Sequence, residues 1–238
     1  MAFSSRAAGA LAAVAALAIG GGLAGLATRA VAADSAPAAG TGAVKGKLSL
    51  VRLSVGSAVD GFGEVLVYVD DAPPSGAPPA TPFVMAQEKK KFVPGFLVVP
   101  KGSRVDFPNR DLVFHNVFSV TPGSTFDLGL YKSGTSKSVL FDKPGIVSVY
   151  CNIHPQMAAY VAVMANPLFA RPAGDGGFAI PAVPAGTWHL TAWFPHGKSV
   201  RNEIRVEAGK TLDVAITLSE VRGATRHADK EGKAYGGY

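Results

Sequence analysis

The chain has 238 residues, of which 48% are hydrophobic and 17% charged, with one cysteine and a formal net charge of +6. A single cysteine excludes an intrachain disulfide framework. The positive charge is not gathered into a Lys/Arg stripe interleaved with aromatic residues, so we expect no nucleic acid among the partners. A mildly basic face instead suits docking to an acidic protein.

Residues 1–33 have the layout of a secretory signal peptide. Arg6 supplies the positive start, residues 7–28 form an uncharged run rich in Ala, Leu and Gly, and Ala-Val-Ala-Ala at residues 30–33 provides small side chains for a signal peptidase. The run is also long enough for a membrane span of roughly 20 residues, so a retained anchor stays an alternative to cleavage. We expect the rest of the chain in the periplasm or secreted, without membrane contact once the leader is removed.

Past the leader, the sequence predicts short strands with almost no helical periodicity. The runs are rich in Val, Phe and Tyr, and Gly, Pro, Asp and Ser separate them, which is typical of a β-sandwich or barrel. In chain order the predicted strands cover residues 63–70, 96–109, 112–120, 137–141, 145–151, 158–164, 187–194, 199–207 and 211–218. The fold class predicted from this pattern is all-β.

Three segments do not fit a strand pattern. Residues 71–82 are too rich in Pro for a strand and indicate a linker. Lys89 to Lys91 are three consecutive lysines, which we interpret as the solvated end of a hairpin. Residues 220–238 are polar and Gly-rich, and we predict a disordered tail there.

The octapeptide YCNIHPQM, residues 150–157, contains the cysteine with a histidine and a methionine at spacings of three. Strand alternation places Cys151 on the same face as two valines, so a buried structural cysteine is one interpretation. Tight turns bring residues three apart within about 7 Å, so the side chains of Cys151, His154 and Met157 can converge. Two His, one Cys and a distant axial Met form a blue-copper site, which here requires a second histidine.

His115 is the candidate for that second histidine. It lies in a predicted strand and is flanked by valines on its own strand face. The other three histidines fit the site less well. His189 is predicted on an open sheet face, His196 in a loop and His227 in the polar tail.

The segments FHNVF and VYCNIHPQM together resemble the two halves of a cupredoxin site, the family of plastocyanin, pseudoazurin and amicyanin. The resemblance implies a Greek-key β-sandwich that binds one type 1 copper ion. It implies His115, Cys151 and His154 as equatorial ligands and Met157 as the axial ligand. It also implies that Asn116 ties the two ligand loops together and supports the Cys151 sulfur.

The cupredoxin resemblance also indicates how many ligands to expect. The residue before His115 is Phe114, not the glycine whose carbonyl is a fifth neighbour in azurin, so we expect four ligands. The short Cys-x-x-His-Pro-x-Met loop is most similar to that of amicyanin.

The flanking segments GAVKGKLSL and DGGFAIPAVPAGTWHL resemble a carboxypeptidase-regulatory-like domain, a small transthyretin-type or Ig-like β-sandwich. We predict this domain at residues 42–72 and 167–219, with the cupredoxin domain at residues 80–166 inserted between the two parts. Two domains in series stay an alternative. We identify no catalytic residues in the second domain and expect a scaffold or docking role.

Together these features predict an exported one-electron carrier rather than an enzyme. The resemblance implies a c-type cytochrome or a periplasmic dehydrogenase as its redox partner. A Cys–His nucleophile built from Cys151 and His154 would leave His115 and Met157 without a role. A copper store would need further exposed Met and His residues, which the sequence does not provide. A secreted copper-binding or interaction module without redox turnover stays an alternative.

Overall fold

The computed structural model describes residues 40–51, 61–195, 197–221 and 229–233. Within these ranges the chain forms strands and no helix, so the predicted all-β class is confirmed. Consequently, no described helix is long and apolar enough to cross a bilayer. The predicted leader, His196, His227 and most of the predicted tail lie outside the described residues.

In chain order the strands are β1 (Thr41–Val51), β2 (Leu66–Val69), β3 (Phe83–Val84), β4 (Ala86–Glu88), β5 (Lys91–Val93), β6 (Phe96–Pro100), β7 (Ser103–Pro108), β8 (His115–Ser119), β9 (Phe126–Tyr131), β10 (Ser136–Phe141), β11 (Gly145–Cys151), β12 (Ala158–Met164), β13 (Phe169–Ala170), β14 (Gly177–Pro184), β15 (Gly186–Trp193), β16 (Val200–Val206) and β17 (Thr211–Ser219). The Pro-rich residues 71–82 contain no strand, in agreement with the linker prediction.

Two sheets enclose the first hydrophobic core, and we call this pair sandwich A. Their strand orders are β14-β1-β17 and β13-β2-β15-β16. Alternating residues of facing strands bury their apolar side chains between the sheets, as in other aligned sandwiches. The fully buried members include Val44, Val67, Ile180, Ala192 and Leu218.

A second pair of sheets, sandwich B, encloses a separate core. Its strand orders are β10-β7-β3 and β6-β12-β11-β8-β9, and the short hairpin β4-β5 lies at its edge. Its core includes Met85, Val105, Phe107, Val149 and Val161, all with no exposed surface. Sandwich A takes its strands from both ends of the described chain, and sandwich B takes its strands from the stretch between them. The limits of the two predicted domains stay predictions.

A third apolar cluster joins the outward faces of the two sandwiches. Leu66 of sandwich A is buried with Phe96, Ala162 and Met164 of sandwich B. The Trp193 ring of β15 lies 5.4 Å from the Phe96 ring and 5.2 Å from the Tyr160 ring, between ring centroids. Strands β6 and β12 of the five-stranded sheet are therefore covered on both faces.

One end of sandwich B brings together the segments that carry the candidate ligands. Strand β11 pairs with both β12 and β8, and Cys151 is opposite Val117. The β11–β12 loop, residues 152–157, therefore lies beside the start of β8, where His115 is located. A bridge between Gln87 and Asn109 places the β4-β5 hairpin at the same end.

Candidate metal centre

Three predicted ligands, His115, Cys151 and His154, meet at one point. The Cys151 Sγ atom lies 3.7 Å from His115 Nδ1 and 3.6 Å from His154 Nδ1, and the two nitrogens are 3.2 Å apart. These separations define a triangle whose centre lies about 2.0 Å from each donor atom, which is the length of a metal–imidazole bond. The three atoms are therefore placed to bind a single ion.

Strand geometry explains the position of Cys151. It is the last residue of β11, and alternation places it with Val147 and Val149 in the core of sandwich B. Its side chain has no exposed surface. The sulfur therefore faces the cluster from a water-free layer, as the strand pattern predicted.

The β11–β12 loop is closed by two backbone hydrogen bonds. The Met157 amide donates to the His154 carbonyl at 2.9 Å, and the Cys151 amide donates to the Met157 carbonyl at 3.2 Å. Met157 is 1% exposed and belongs to the same core as Cys151. Its side chain is thus buried at the foot of the loop, and its role as the axial ligand stays a prediction.

His115 is fully buried and contacts a carboxylate that the sequence analysis did not single out. Its Nε2 atom lies 2.9 Å from Asp111 Oδ2. If Nε2 carries the proton and donates to the carboxylate, the Nδ1 lone pair faces Cys151 and His154. Asp111 therefore fixes both the orientation and the tautomer that metal binding requires.

Asp111 is itself held by a tight turn between β4 and β5. The amides of Lys89 and Lys90 donate to its two carboxylate oxygens at 2.5 and 2.8 Å. Burial alone would raise the pKa of Asp111, but hydrogen bonds from the Lys90 amide, His115 and the Lys89 amide outweigh it and hold that pKa below its usual value. The carboxylate is therefore ionised at neutral pH.

The turn that holds Asp111 is the predicted end of a lysine-rich hairpin. Lys89 and Lys90 both have left-handed backbone conformations, with φ of 54° and 55°, which two-residue hairpin turns require. Their side chains are exposed, as predicted. Nothing in the side-chain pattern predicted that the backbone of this turn supports the half-buried carboxylate of Asp111.

His154 is half-buried at the surface end of the cluster. Burial, the neighbouring His115 and the charge of Lys90 lower the pKa of His154, while Asp111 opposes them. The neutral imidazole, which is the form that binds a metal, is therefore favoured at and below neutral pH.

This lowered pKa predicts a pH dependence of the metal-free protein. The imidazole of an unfolded chain has a pKa of about 6.5, so the unfolded state binds more protons than the folded state just below that pH. We expect the free energy of unfolding of the apoprotein to fall as the pH is lowered through about 6.5. Urea unfolding at pH 8 and pH 5 should show a smaller loss for His154→Gln than for the wild type, and equal losses would contradict the prediction.

Asn116 lies beside the cluster but contacts a different partner from the one expected. Its amide nitrogen donates to Asp127 Oδ1 at 2.6 Å, which connects β8 to β9. Asp127 also accepts from Lys230 at 2.8 Å, and the Lys230 amide donates to Asn152 in the β11–β12 loop at 3.0 Å. Asn116 is thus linked to the loop through Asp127 and Lys230, and its support of the Cys151 sulfur stays a prediction.

His189 forms a second group with two acidic residues on sandwich A. Its Nδ1 atom lies 2.6 Å from Asp71 Oδ2, and Asp70 is close enough to complete a set of three possible metal donors. Arg201 already binds Asp70 through two hydrogen bonds of 2.8 and 3.2 Å. This exposed group is therefore an ion-pair network on an open face.

Comparisons with known proteins give partial structural similarity only. No family model matches the chain, and no curated protein matches it. Among solved structures, a purple cupredoxin from Nitrosopumilus maritimus aligns at 22% identity over 34% of this chain and 99% of its own length, with a TM-score of 0.32. Two reduced amicyanin variants align at 25% and 26% identity over 41% of this chain and 98% of their own length, with TM-scores of 0.34 and 0.33. At these TM-scores the alignments assign neither a fold nor a function to this chain.

Proposed function

We propose that this chain is an exported type 1 copper protein that carries single electrons. The observation that supports this most directly is the triangle of Cys151 Sγ, His115 Nδ1 and His154 Nδ1, with sides of 3.2 to 3.7 Å. Two imidazoles and one thiolate in a trigonal arrangement suit copper. The residues fit the ion, because the triangle is small enough for one metal atom to bond to all three donors.

Copper bound there would supply one-electron chemistry between its two common oxidation states. The protein contributes a rigid set of ligands, because Cys151 is fixed by a strand, His115 by Asp111 and the loop by its two backbone hydrogen bonds. Met157 would complete the set from the buried side. With four protein ligands no position is open for a substrate, which supports a carrier rather than an enzyme.

Electrons would enter and leave through His154. It is the only one of the three clustered residues with exposed surface, since His115 and Cys151 have none. Redox partners meet such carriers through small, transient interfaces. A c-type cytochrome or a dehydrogenase in the periplasm would fit this role, and the predicted leader supports that location.

Copper binding and redox cycling provide the test. One equivalent of Cu(II) added to the purified protein should give an intense blue absorption band, which ascorbate should bleach and an oxidant restore. The copper EPR signal should have the narrow hyperfine splitting of a type 1 site. A colourless copper complex, or binding without reversible reduction, would contradict the electron-carrier function and favour a binding module without redox turnover.

A further inference from the structure

The lysine turn is fixed beside the candidate metal centre. Hydrogen bonds link the backbone of Lys89 and Lys90 to Asp111, Asp111 to His115, and the His115 ring touches His154. Each link is 3.2 Å or shorter. The turn therefore lies at the same edge of sandwich B as the imidazole through which electrons are proposed to pass.

The positive charge of this turn is available to a partner. Lys89, Lys90 and Lys91 are exposed, and none of them takes part in an ion pair within the described residues. The nearby carboxylate of Asp111 is turned inward and accepts hydrogen bonds from His115 and two amides.

Exposed apolar side chains lie on the same two segments that carry His115 and His154. Leu112 is 96% exposed, Phe114 56% and Ile153 43%. Leu112 and Phe114 lie on the segment that leads into His115, and Ile153 directly precedes His154, so we call these three side chains the apolar rim. Large exposed apolar groups of this kind mark a surface that another protein covers.

We propose that the turn of Lys89 to Lys91, together with this apolar rim, docks a redox protein whose electron-transfer centre is ringed by carboxylates. The proposal rests on the electron-carrier function proposed above. Opposite charges around an apolar contact steer encounter and set orientation, while the apolar groups exclude water. In each encounter one electron passes between the two proteins, so one centre is oxidised and the other reduced, with no bond or proton exchanged.

A matched pair of haem proteins tests the proposal. Native cytochrome c is basic, and succinylation converts its lysines to carboxylates while keeping the haem. Stopped-flow rates of electron exchange with both forms are compared for wild type, Lys89→Glu/Lys90→Glu and the control Lys101→Glu/Lys143→Glu. The control carries the same charge change at the opposite end of sandwich B, because Lys143 precedes β11 and Lys101 follows β6. At about 0.1 M ionic strength the screening length is about 10 Å, so only nearby charges act.

We expect Lys89→Glu/Lys90→Glu to slow exchange with succinylated cytochrome c about tenfold or more and to speed exchange with the native form. The control variant should stay within about twofold of wild type, and Lys89→Gln/Lys90→Gln should lie between. Variants are compared only when their blue absorption matches that of wild type. Equal rates for the turn and control variants would overturn the docking surface and leave the electron carrier intact. A wild type that exchanges electrons with neither haem protein would instead overturn the proposed function.

Discussion

Replacement of Cys151 by serine is expected to abolish the blue absorption completely. The intense colour of a type 1 site arises from charge transfer between the thiolate sulfur and copper, and a hydroxyl cannot provide it. Serine is also a much poorer ligand for a soft ion, so the protein should lose most of its affinity for Cu(I). Visible absorption and copper competition titrations measure the two effects.

Val149→Ala is the matched control for Cys151→Ser. Val149 lies two residues earlier on the same face of β11 and is equally buried. Its truncation should lower the free energy of unfolding by about 2 kcal/mol through lost packing. It should nevertheless keep the blue band, because it removes no donor atom. An intense blue band in Cys151→Ser would show that the sulfur is not a ligand.

Asp111→Asn is expected to weaken copper binding by about 10- to 100-fold, the usual effect of losing a group that orients a metal-binding histidine. Asp111 Oδ2 accepts from both His115 and the Lys90 amide, and Oδ1 accepts from the Lys89 amide. An asparagine has one oxygen, so its NH₂ group would face at least one of these donors. His115 would then lose the acceptor that fixes its tautomer, or the β4–β5 turn would lose the acceptor for one of its amides, or both would occur.

The same substitution should raise the reduction potential. A carboxylate that accepts a hydrogen bond from a ligand makes the imidazole a stronger donor and stabilises the more positive oxidation state of the metal. Asp213→Asn is the control, because Asp213 is an exposed residue of sandwich A whose loss changes the net charge equally. Voltammetry and copper competition titrations compare the two variants. If they show the same potential and affinity, Asp111 has no special role at the centre.

The sequence predicted the three clustered side chains but not their support. Cys151 and His154 could be predicted because they are only three residues apart in one short loop. His115 could be predicted because a blue-copper site needs a second imidazole. Alternation along β11 correctly predicted that Cys151 is buried. The all-β class followed from many short apolar runs separated by turn residues.

Asp111 could not be predicted in the same way. Its partners are the amides of Lys89 and Lys90, more than twenty residues earlier, and backbone groups leave no signature in the side-chain pattern. The link from Asn116 through Asp127 to Lys230 was missed for a similar reason. Lys230 lies in a segment predicted as disordered from its composition, yet residues 229–233 form a turn that contacts the β11–β12 loop.

The apolar cluster around Trp193 joins sandwich A to β12, the strand that follows the β11–β12 loop. Tyr160 touches Trp193 and lies in β12, three residues after Met157, so this contact lies close in sequence to the loop that carries His154. A fragment that contained only sandwich B would expose the Phe96 and Tyr160 rings to water. We therefore expect such a fragment to self-associate. The sheet that carries Cys151 therefore depends on sandwich A to keep part of its outer face dry.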